Sequence, residues 1–187
     1  MSAPVLILQG FQRAFVEHDS PLFSRSASLR RGVCERLLKN ARSTGWLVVH
    51  SYLALESLAR PGAAAIDGFS PAPSEAYFRQ TGLSAFSTPG FYGKFDGLAG
   101  RPAFLMSFAG LSAIASTFLD ALERRIDLSI VADATADIDH AGVGEQERLV
   151  AIDTLARAHD RRVMSSDLLR QERPSNAPFY MAIGGGA

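Results

Sequence analysis

The chain has 187 residues, enough for one domain with a substantial core, and its 47% apolar and 20% charged residues are ordinary for a globular protein. Lys+Arg and Asp+Glu both number 19, so the formal charge is zero and nothing in it favours nucleic acid or an anionic membrane as a partner. A single cysteine, Cys34, excludes an internal disulfide and points to a reducing cytoplasm. No apolar run reaches the length of a membrane span, and the N-terminus lacks the order of a signal peptide.

Short apolar runs alternate with helical patterns, which predicts an α/β fold with a largely parallel sheet. Val5–Leu8 reads as the first strand, closed by a turn at Gly10. Ser28–Arg42 has helical spacing through Leu29, Val33, Leu37 and Leu38, with Gly45 as the stop; Cys34 falls in its apolar stripe as a buried thiol, and Arg30 and Arg31 read as a solvated face. Trp46–His50 is the second strand. Arg60–Ser74, rich in Ala, Gly and Pro, reads as a long surface loop.

Ala76–Arg79 is a short third strand, Phe91–Leu98 a helix after Pro89, and Ala103–Phe108 a fourth strand. Ser112 is placed as the cap of a helix over Ala113–Arg125. Leu128–Val131, helical Glu147–Ala158, the strand Arg162–Met164 and a last short helix opened by Ser165-Ser166-Asp167 follow. From about Arg173 a tail with Pro174, Pro178 and Gly184-Gly185-Gly186 should be irregular, although its Phe179-Tyr180-Met181 is suited to docking. No internal repeat or linker divides residues 1–187, which read as a single domain.

Several of these segments resemble the isochorismatase-like (cysteine hydrolase) superfamily. They are Val5-Leu6-Ile7-Leu8 leading to Gln12 and Phe15-Val16, Ser84-Ala85-Phe86, Thr117–Ala121 and Val131–Asp137, with Asp120-Ala121 and Asp133-Ala134 thirteen residues apart. Val131–Asp137 is most similar to the isochorismatase branch. The resemblance implies a three-layer α/β/α sandwich of Rossmann-like topology with a parallel sheet of about six strands. It also implies a dimer or tetramer, to which Phe179 and Tyr180 add aromatic anchors. Where the family carries its catalytic Asp, Lys and Cys, this chain has Gly10, Gln80 and Ala113.

Amide hydrolysis in that family needs a thiolate, a carboxylate that moves its proton and a lysine beside both. The isochorismatase branch does without the Cys but keeps the Asp as acid. General acid catalysis is worth about 10²–10⁴-fold, so Gly10 and Gln80 remove both routes. Ser112 is read as a cap before a nucleophile, Ser116 as packed, and His50 as a structural histidine or the best polar stand-in. His18-Asp19, His140 and His159 form no metal cluster, and no cofactor is expected.

Two features survive the triad's loss. The turn Ala109-Gly110-Leu111-Ser112 offers helix-end amides to an anion or carbonyl oxygen, and small residues at 10, 109 and 113 imply a roomier pocket. The expected ligand-binding set is therefore Gln80, His50, Gly110, Leu111, Ser112 and Ala113. The expected function is that of a non-hydrolytic pseudoenzyme binding a small molecule or a partner. The alternatives are a repurposed hydrolase or lyase acting on a carbonyl-bearing metabolite, or a structural subunit of an active homologue.

Overall fold

The computed structural model describes residues 3–54, 60–96, 100–138 and 143–171. The strands are β1 (Val5–Gln9), β2 (Leu47–Leu53), β3 (Ala76–Gln80), β4 (Ala103–Ser107), β5 (Leu128–Thr135) and β6 (Arg162–Val163). The helices are α1 (Arg25–Ser43), α2 (Arg60–Ala63), α3 (Pro89–Asp96), α4 (Gly110–Glu123), α5 (Glu145–Ala158) and α6 (Ser165–Gln171). All six strands are parallel, in the order β3-β2-β1-β4-β5-β6. Strand order reverses between β1 and β4. In such sheets the crevice at the carboxyl ends of these two strands is where ligands bind.

Side chains alternate across a strand, and the register keeps the two faces consistent. Leu6, Leu8, Val48, Met106 and Val131 join Cys34, Leu37 and Leu38 of α1 and Leu168 of α6 in one core. Val5, Ile7, Val49, Leu105 and Ile130 pack on the other side against Phe91 of α3, Ile114 and Phe118 of α4 and Ile152 of α5. Each fully buried Leu, Ile or Phe contributes about 1.5–3 kcal/mol, so the two layers of helices are held by apolar burial on both faces.

Several boundaries differ from the sequence reading. α1 begins at Arg25 because Ser24 caps it, its Oγ accepting the Ala27 N–H at 3.0 Å. β2 runs on through His50, Ser51 and Tyr52 to Leu53, and β5 on to Thr135 across a register shift. Arg30 is not on a solvated face: its Nη1 donates to the Ala132 carbonyl at 3.3 Å and to that of Thr135, groups of the irregular part of β5. Nor is the Arg60–Ser74 stretch only a surface loop. It opens with α2, and Ile66 and Phe69 are buried, Phe69 against Phe11 at 4.8 Å between ring centroids. His140, residues 97–98 of the predicted helix Phe91–Leu98 and the tail from Arg173 lie outside the described residues.

Candidate functional site

β1 delivers Gly10 to the switch point, where its N–H donates to the Ser51 carbonyl at 2.9 Å. Its φ of +72° is one that side chains with a Cβ rarely adopt. A Cβ added there lies 2.9 Å from the Ala109 Cβ and 3.0 Å from the Ala109 nitrogen. The ends of β1 and β4 therefore close against each other at two small residues, so the missing side chains at 10 and 109 do not enlarge a pocket. No aspartate fits at position 10 unless the turn after β4 moves.

Gln80, at the carboxyl end of β3, is 1% exposed and fully committed. Its Oε1 accepts from Gln9 Nε2 at 3.0 Å and from Ser51 Oγ at 2.9 Å, and its Nε2 donates to the carbonyls of Gly82 and Leu83 at 2.7 and 2.6 Å. Gln9 completes the network: its Nε2 also donates to Thr117 Oγ1 at 2.9 Å, and its Oε1 accepts from Ser107 Oγ at 3.1 Å. Thr117 Oγ1 in turn accepts the Ala85 N–H at 3.0 Å. Both amides thus reach near-complete hydrogen bonding among buried groups. The sequence reading missed Gln9. The signal was available, since a Gln two residues after Ile7 faces the same side of the sheet.

Ala113 is 2% exposed on α4, one turn before Thr117 and on the same face. Of positions 10, 80 and 113, only Gln80 belongs to the network, which joins the ends of β1, β2, β3 and β4 to Thr117 of α4 through neutral amides and hydroxyls. The network holds neither a thiol nor a charged acid–base pair.

One of the helix-end amides, that of Leu111, is also taken. Gly110 opens α4 at φ +83°, and a Cβ there comes 2.8 Å from Asp137 Oδ1. Asp137 is fully buried; its Oδ2 accepts the Leu111 N–H at 2.6 Å and its Oδ1 the Ile138 N–H at 2.8 Å. Arg148 of α5 places Nε 3.0 Å from the same Oδ2, an ion pair whose N–H does not point along the hydrogen-bond direction. The carboxylate is locked from behind: the Asp137 carbonyl lies 2.6 Å from Ser24 Oγ, which is 2.8 Å from Glu145 Oε1. A negative group at a helix N-terminus is favourable, and here the chain supplies its own. Ser112 is not the cap. α4 starts two residues earlier, after Ala109, and Ser112 is exposed.

His50 lies on the other face of the sheet. It alternates with Val49 and Ser51, and with Val48 it points toward the α1 core, whereas Gln80 and Gln9 point toward α4. Its Nε2 is 2.8 Å from Glu75 Oε2, and a carboxylate can only accept, so Nε2 carries the hydrogen. Arg42 forks onto Glu75 through Nε and Nη2 at 2.7 and 2.9 Å, and the Ala72 N–H adds a contact at 2.9 Å. Burial holds the imidazole below its usual value despite the Glu75 bond. Burial also opposes the Glu75 charge, yet the Arg42, Ala72 and His50 bonds hold that carboxyl down at about 2. His50 Nδ1 has no hydrogen-bond partner among the described residues.

Cys34 is buried in α1, and burial pushes its thiol well up, so it is no nucleophile. His18 packs on Phe23 at 4.2 Å and His159 against Phe118 at 5.6 Å between ring centroids. Among the described residues no group of His, Cys, Asp and Glu could hold a metal, and no helix is long and apolar enough to cross a membrane.

The same architecture recurs in solved structures. A cysteine hydrolase from Pseudomonas syringae pv. phaseolicola 1448A superposes with a TM-score of 0.81 at 16% identity, covering 90% of this chain and 91% of its own. The chain has the isochorismatase-like fold. An isochorismatase family protein from Desulfovibrio vulgaris subsp. vulgaris str. Hildenborough gives 0.77 at 21% identity, covering 91% and 98%. The N-carbamoylsarcosine amidase from Thermoplasma acidophilum gives 0.69 at 18%, covering 88% and 97%. No family model and no curated protein matches the sequence. The isochorismatase-like sheet is thus kept at a sequence identity that carries the fold and not the chemistry.

Proposed function

We propose that this chain is a non-hydrolytic member of the isochorismatase-like superfamily, a pseudoenzyme that binds a small molecule or a partner without turning it over. The observation that carries the reading is the Asp137 carboxylate on the Leu111 amide, 2.6 Å away. In a hydrolase, helix-end amides of this kind are useful only when free to receive an oxygen that gains charge during reaction. Here a fixed carboxylate already fills that role, and a substrate oxygen placed beside it meets like charge.

Gln80 supports the same reading, since every polar atom of its amide is engaged within the protein. Ala113 offers no nucleophile. The rival reading of a repurposed pocket would be favoured by His50 and Gln80 converging, and they face opposite sides of the sheet. The single cysteine, buried and unpaired, supports a reducing, cytoplasmic compartment.

The test is an assay of the purified protein on N-carbamoylsarcosine, a simple amide and isochorismate. The expected result is no turnover above buffer. Turnover that follows the protein through purification and disappears in Ser112→Ala or His50→Gln, the two stand-in residues, overturns the proposal.

A further inference from the structure

β3 ends the sheet on one side, and its outer edge carries two features that match a second copy of itself. The first is the phase of its backbone. The Gln80 carbonyl accepts the Ala54 N–H at 3.0 Å, so Gln80 turns its peptide groups toward β2. Successive residues of a strand point these groups to opposite sides, so Ala76 and Phe78 also face β2. Tyr77 and Arg79 present their N–H and C=O groups outward.

The second is the side chains. Tyr77 is 61% exposed, its ring leaning on Tyr52 at 5.8 Å between centroids, and Arg79 is exposed on the same face. Beyond the strand, Leu83 is 60% exposed. Edge strands are usually blunted by charged side chains, Pro or a bulge; Ala76–Gln80 has no Pro and pairs with β2 without a bulge, and its one charged side chain is Arg79.

We propose that β3 pairs antiparallel with β3 of a second copy about a two-fold axis at Phe78, joining the two sheets into one. That axis places Tyr77 opposite Arg79 of the other copy, and Arg79 opposite its Tyr77. The outward groups of both residues then form hydrogen-bonded pairs, with Cα atoms about 5.5 Å apart. On the shared face each guanidinium meets a tyrosine ring, a favourable cross-strand and cation–π pair made twice by symmetry. An axis at Tyr77 or Arg79 sets like residues against each other and leaves one outward pair unmatched. Zero net charge on the chain leaves no long-range repulsion to oppose the approach. The inference stands independently of whether the site behind Gln80 is active.

The test uses the full chain at micromolar concentration, with mass measured by light scattering and amide exchange followed residue by residue. The expected mass is twice the 20.1 kDa of the chain, or a larger even assembly that falls by half in the variants. The Tyr77 and Arg79 amides should be protected from exchange. Tyr77→Pro deletes an outward N–H without touching the pairing to β2, and Arg79→Glu reverses the charge facing each ring. Both should weaken association by about tenfold or more, with unchanged circular dichroism. If Tyr77→Pro fails to fold, Arg79→Glu decides. A monomeric wild type, an assembly indifferent to Arg79→Glu, or a dimer whose Tyr77 and Arg79 amides exchange freely overturns the proposal.

Discussion

Asp137 Oδ2 accepts the Leu111 N–H at 2.6 Å, so a residue beyond the end of β5 terminates the start of α4. The contact joins the two segments that flank the switch point, and the ion pair to Arg148 adds α5 to them. Removing the carboxylate leaves two backbone amides and a largely buried guanidinium without it. Asp137→Ala should therefore cost about 3 kcal/mol, the scale for breaking a buried charge pair. Chemical denaturation of the two proteins measures this. A loss within experimental error shows that the carboxylate does not hold the site closed.

Gln80 and Ser112 separate a structural residue from one that only looks functional. Gln80→Ala strands the Gln9 Nε2 and Ser51 Oγ donors in a buried setting and should cost about 2–4 kcal/mol. Ser112→Ala removes an exposed hydroxyl from the third residue of α4 and should stay within about 0.5 kcal/mol. The same denaturation experiment ranks the two. A large Ser112 effect would restore it as a cap.

Reinstalling the family's residues should not reinstall the chemistry. Gly10→Asp forces a Cβ within 2.9 Å of the Ala109 Cβ at a φ of +72°, a strain of about 2 kcal/mol or more. Gln80→Lys removes the acceptor that Gln9 and Ser51 use. The triple variant with Ala113→Cys should melt lower than the wild type and show no amidase activity, measured by thermal unfolding and product release. Restored turnover in a stable triple variant would mean that the site is only missing its three side chains.

Much of the frame was readable because it is local. The runs Val5–Leu8 and Ala103–Phe108 and the spacing of Leu37, Leu38 and Cys34 carry strand and helix periods that survive into the structure. The strand ends were less legible because His50-Ser51-Tyr52 and Asp133–Thr135 are polar, and only burial by neighbouring elements makes them strand. His50 entered the expected ligand set as the polar residue that closes the predicted second strand. Its side of the sheet follows from register, through Leu8↔His50, which no local pattern encodes. Asp137 stood inside a recognised segment, yet its contact with Leu111 spans 26 residues and depends on how β5 leaves the sheet. Helix-end amides look free in a sequence because whatever fills them comes from elsewhere.

The cluster on the other face predicts how stability depends on pH. The His50 imidazole is held below its reference of 6.5 by burial, and Glu75 is held at about 2, below its reference of 4.5, chiefly by Arg42 working against burial. In both cases the unfolded chain takes up protons at a higher pH than the folded one, so acid favours unfolding. Stability should be full above 6.5, begin to fall as His50 protonates in the unfolded chain, and fall more steeply below 4.5 as Glu75 does the same. His50→Gln, which keeps a donor to Glu75, should flatten the upper part of the decline and leave the lower part. Glu75→Gln should flatten the lower part while lowering stability at neutral pH, because Arg42 loses its carboxylate. Thermal midpoints of the three proteins across this range decide it. A wild-type midpoint that does not change between 6.5 and 4.5 would mean that His50 is protonated in the folded chain, and that its bond to Glu75 is an ion pair.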